Sequence, residues 1–95
     1  MLHGLAMSYL MCGRNADALA TGLRAVEEWP KSGPNRRVVV VSLVRLGRLE
    51  EARDAVARLL NIVPETHLAK IKPPSRIAGF GEGFLSDLRL AGYPE

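Results

Sequence analysis

The chain repeats itself at a spacing of 34 residues: Gly13 and Gly47, Arg14 and Arg48, Ala18 and Ala52, and Pro30 and Pro64 are identical pairs in one register. The stretches "GRNADALA" at 13–20 and "GRLEEAR" at 47–53 carry three of the four pairs. A period of this length is that of a supersecondary unit copied in tandem, each copy burying its apolar face against its neighbour. The repeat therefore constrains the whole fold.

Within each copy the apolar periodicity is helical. Leu2, Leu5, Ala6, Tyr9 and Leu10 recur at helical intervals, and Gly13 stands where a glycine ends a helix. Asn15 suits an N-cap, with Asp17 in the positive first turn of a second helix. Ala18, Leu19, Leu23, Val26 and Trp29 carry that helix to Pro30, which stops it. Pro34 suits the first turn of a third helix, which runs to Leu46 and halts at Gly47. A fourth starts near Leu49, with Glu50 and Glu51 in its first turn, and continues through Ala52, Ala55, Val56, Leu59 and Leu60 to Pro64. Asp54 and Arg58 are spaced for an i,i+4 pair on it.

Val38 to Val41 pull the other way. Four β-branched residues in a row read locally as a buried strand, which would make the chain a small α/β protein with a strand at 38–44. The repeat decides for helix, because the same frame at 4–12 is helical. After Pro64 the pattern loosens, and 65–79 reads as an extended connection containing Pro73 and Pro74. A last helix within 80–95 carries Phe84, Leu85, Leu88 and Ala91 on one face and closes with Gly92 and Pro94. The expected fold is all-α: two helical pairs in 1–64, a connection at 65–79 and a capping helix in 80–95.

Composition narrows the function classes. Apolar residues make up 47% of the 95-residue chain and charged residues 24%, as in an ordinary globular domain. No apolar run reaches the roughly 18 residues that a membrane span needs, and no basic leader or cleavage site marks a signal peptide. Cys12, the one cysteine, cannot build a disulfide framework; it reads as core filler in a cytoplasmic protein. The net charge of +3 arises in 35–64, where six arginines face Glu50, Glu51 and Asp54. No aromatic residue interleaves with those arginines, so a nucleic-acid stripe is not expected.

Chemistry finds no foothold in the motifs. "GFGEGF" at 79–84 lacks the spacing and the lysine–serine pair of a phosphate loop and reads as the entry to the last helix. His3 and His67 have no ligand-spaced partners, and no serine stands in a nucleophile elbow. No catalytic residue, cofactor or metal is expected.

Paired helices at this period resemble tetratricopeptide repeats. Leu5, Ala6 and Tyr9 match the large, small and aromatic slots of a first helix, with Ala18, Ala25 and Pro30 in the second-helix slots. Val39, Val40, Leu43, Ala52, Leu59 and Pro64 fill the same frame in the second copy. The leading tryptophan slot holds Leu2 and Arg36, and the later aromatic slot holds Gly22 and Val56. Gly22 would leave a thin contact inside the first pair. The tail, "LRLAGYPE" at 88–95, is similar to the C-termini of multidomain bacterial signalling proteins, chiefly class III adenylate or guanylate cyclases with a tetratricopeptide region after the catalytic domain. No metal-binding carboxylate pair or purine-recognition motif of such an enzyme occurs here.

The resemblance implies a solenoid piece whose first helices line a concave groove. His3, Met7, Leu10, Met11, Arg37, Val41, Val44 and Arg45 would point into it, an apolar strip with arginines at one end. It would suit a hydrophobic peptide or helix, or else merely pack on missing repeats, on the chain's own last helix or on a symmetry mate. The first helix begins without a cap or a polar outer face, which suggests more chain upstream or a packing partner. The expected function is a non-catalytic interaction or regulatory module that contacts a protein or itself as a homodimer, without nucleic acid or membrane. A purely structural solenoid cap is the alternative.

Overall fold

In the computed structural model, which describes residues 2–62 and 80–93, five helices follow one another: α1 (Leu2–Met11), α2 (Asn15–Glu28), α3 (Gly33–Arg45), α4 (Leu49–Ile62) and α5 (Phe80–Leu90). No strand occurs among the described residues, so the valine run is helical and the α/β alternative falls. The connection expected at 65–79, and His67 within it, lie outside the described residues.

The reason the valines accept a helix is the place of α3. It packs against α1, α2, α4 and α5. Successive helical residues step about 100° around the axis, so four in a row sample most of the circumference. Val38, Val40 and Val41 are fully buried and Val39 nearly so. Burying each valine is worth about 1.5–3 kcal/mol, against a helix-propensity cost of a few tenths. Ser42, also buried, turns its hydroxyl back to donate to the Val38 carbonyl at 2.8 Å, so its polar atom is satisfied. The cap side of α3 is Ser32, whose Oγ accepts from the Asn35 N–H at 3.4 Å.

The repeat extends to the turns. Gly13 and Gly47 hold φ of +77° and +78°, the left-handed region that a Cβ disfavours. Around Gly13, its N–H donates to the Leu10 carbonyl at 3.1 Å and the Arg14 N–H to the Tyr9 carbonyl at 2.8 Å. Gly47 and Arg48 do the same to Val44 and Leu43 at 3.0 and 2.9 Å. These paired bonds satisfy the last carbonyls of α1 and α3 and reverse the chain.

That turn also displaces the expected N-cap. Asn15 is the first residue of α2, and Arg14 occupies the cap position with no side-chain capping bond. Closing α1 uses the Arg14 N–H, which leaves this residue at the junction. Its guanidinium instead reaches the first-turn acid, Nη2 lying 2.7 Å from Asp17 Oδ2. Arg48 pairs with Glu51 in the second copy in the same way, Nη2 donating to Oε1 at 2.7 Å.

Small residues set the helix spacing. Ala6, Ala18, Ala25 and Ala52 are wholly buried. Gly22 does not thin the first pair as expected: it faces α3, where a Cβ would stand 3.1 Å from Val39 Cγ2. Two other expectations fail at α1. Cys12 lies beyond the last residue of the helix and is exposed, not core filler. Leu5, placed in a packing slot by the pattern, is 45% exposed.

Candidate functional site

The face of α3 that carries Arg37, Val41 and Arg45 at four-residue intervals is where a groove was expected. Helix α5 lies against α3. Phe84, Leu88, Ala91 and Tyr93 join the same core as Met7, Leu10, Val41 and Leu43. Helix α5 itself ends as α1 and α3 do, with Gly92 at φ +87° and the Tyr93 N–H donating to the Leu88 carbonyl at 3.0 Å. That closure turns the Tyr93 ring back into the core.

An ion pair accompanies this apolar seat. Arg45 Nε donates to Asp87 Oδ2 at 2.8 Å, both side chains about four-fifths buried. Arg45 Nη1 also donates to the Leu10 carbonyl at 3.3 Å. One guanidinium thus ties together the C-terminal end of α1, the last turn of α3 and the middle of α5. Gly83 sits beside it, with room for a methyl group: an added Cβ would be 3.8 Å from Arg45 Nη2.

The expected groove residues divide accordingly. Met7, Leu10 and Val41 are in the core; Arg37, Val44 and Arg45 are partly buried; Met11 is exposed. His3 is on α1, but its side chain lies outside the described ones. Asp87 was absent from the sequence-based set because its pairing with Arg45 spans 42 residues and has no local signature.

Sequence reasoning also missed an open cleft of about 320 Å³ bordered by α2, α3 and α4. Leu19, Leu23, Val26, Val39 and Leu43 give it an apolar wall and floor, and Arg36, Arg48, Glu51, Asp54 and Arg58 a charged rim. Arg48 is held by Glu51, and Arg36 Nε donates to the Pro30 carbonyl at 2.7 Å. The hydrogen bond from Arg48 holds the Glu51 carboxyl below the usual glutamate range, and Glu51 raises Arg48 in turn. The helical periodicity of α2 places Leu23 with the apolar residues, yet it is about half exposed at the edge of this cleft.

Among the described residues, no three His, Cys, Asp or Glu side chains gather as metal ligands would, and no helix is long and apolar enough to cross a membrane. Within "GFGEGF", the residues from Phe80 onward belong to the first turns of α5. No protein-family model, no curated protein and no solved structure matches the chain.

Proposed function

We propose that the chain is a non-catalytic interaction module of tetratricopeptide-like form, whose α3 face holds a helical protein segment. The observation that carries this reading is the seating of α5. A helix rests on that face through a row of apolar side chains and one oriented ion pair, Arg45 to Asp87, as a partner's helix would in a helix-in-groove complex. The register of turns and ion pairs at Gly13 and Gly47 supports a tandem unit of the tetratricopeptide kind. Leu5 and Met11, both close to half exposed on α1, favour self-association as a second mode. The tail at 88–95 supports a larger cytoplasmic bacterial signalling protein, such as a cyclase, as the host.

The test is an NMR titration of the labelled chain with a panel of amphipathic and non-amphipathic helical peptides, alongside sedimentation across the micromolar range. Saturable shifts in α1, α3 and the α5 that lies over them, or a dimer dissociated by Leu5→Glu, are the expected results. A monomer at high micromolar concentration that responds to no peptide overturns the reading.

A further inference from the structure

We infer that the α3 face under α5 takes an amphipathic, carboxylate-bearing helix in exchange for α5. This rests on the interaction reading above and names the partner's chemistry. The seat specifies that chemistry by what it already holds: an aromatic side chain at Phe84, a leucine one turn later at Leu88, and a carboxylate at Asp87 directed to Arg45. Apolar residues four apart lie on one face of a helix. The carboxylate fixes orientation, because the Arg45 guanidinium is anchored from the other side by the Leu10 carbonyl.

The composition of α5 weakens its hold on α3. The helix has 11 residues and contains Gly81 and Gly83 in its first half. Glycine is the poorest helix former apart from proline, and a helix this short is not stable by itself in water. Docking of α5 is therefore coupled to its folding, and the ordering cost is subtracted from its hold on α3. Gly83 is not required by space, since a methyl group there would make an ordinary contact with Arg45. A partner with the same apolar and acidic pattern but without the glycines meets the same seat at a lower ordering cost. Its handicap is that α5 is on the same chain and competes at an effective concentration of order millimolar.

The probe is a fluorescent peptide of residues 80–93 carrying Gly81→Ala and Gly83→Ala, titrated into the full chain. The parent chain should bind it weakly. Leu88→Asp in the chain, which removes the buried anchor of α5, should tighten binding by about tenfold or more, because the tethered competitor is gone. The milder Asp87→Asn should tighten it by less. Replacing the peptide's aspartate by lysine should abolish binding, and Arg45→Glu in the Leu88→Asp chain should restore it. Equal affinity of the parent and both variants overturns the inference. So does loss of the cooperative helical fold in both variants, since α5 would then be an indispensable part of the core. If the α5 peptide fails while other amphipathic peptides shift α1 and α3, only the exchange is refuted; if none binds, the interaction reading fails too.

Discussion

Arg45 and Asp87, 42 residues apart, form a charged contact between α3 and α5 that has both partners largely removed from water. Arg45→Ala should destabilise the chain by about 1–2 kcal/mol, between the values for exposed and buried pairs. A double-mutant cycle by urea denaturation checks this, and the reversed pair Arg45→Asp with Asp87→Arg should recover part of the loss. Coupling indistinguishable from zero would show that α5 is held by its apolar face alone.

Ala52 is wholly buried, whereas Ala57, on the same helix, is exposed. Ala52→Leu should cost about 1–3 kcal/mol through overpacking, and Ala57→Leu should change stability by less than about 0.5 kcal/mol. Thermal melts of the two variants provide the measurement. Similar losses at both positions would contradict the packing of α4 on α3.

Gly22 faces Val39, whose side chain also borders the open cleft. An alanine gains about 1 kcal/mol of helix propensity over glycine but must push Val39 by a few tenths of an ångström. The two effects should leave Gly22→Ala within about 0.5 kcal/mol of the parent. Gly22→Leu, which the neighbour cannot accommodate, should lose about 1–3 kcal/mol. A leucine tolerated as well as alanine would mean that α2 and α3 are farther apart than described.

Glu51 titrates below the usual glutamate range because Arg48 donates to it. A depressed folded-state value means that the unfolded chain binds the proton more readily. The contribution of the pair is therefore present above the ordinary glutamate value and lost as pH falls through the folded one. Side-chain carboxyl NMR should show a midpoint below those of exposed glutamates, and Arg48→Gln should raise it to the ordinary range. Both residues are exposed, so the effect on stability should be small and weakened by salt.

Much of this architecture was legible in the sequence because it rests on local chemistry. The 34-residue register fixed where the glycines stand, and the glycines end helices through their own backbone freedom, whatever surrounds them. Pro30 and Pro34 bound helices for reasons within a few residues. The same register outweighed the strand propensity of Val38 to Val41. Which elements cover which was not legible. The pattern around Asn15 looks like a cap until the turn at Gly13 takes Arg14 into that position. Cys12 and Leu5 sit in an apolar stretch, but burial depends on neighbours that the local pattern does not contain.

By itself the sequence determined that the described segments are helical, where α1, α2 and α3 end, and which small residues allow the helices to approach. Tertiary structure alone decided that α3 is central, that α5 covers its expected groove face, and that Arg45 belongs to Asp87. The division has a physical cause. Helix ends and turns depend on dihedral preferences and hydrogen bonds a few residues long, while burial and ion pairing depend on elements brought together across the chain.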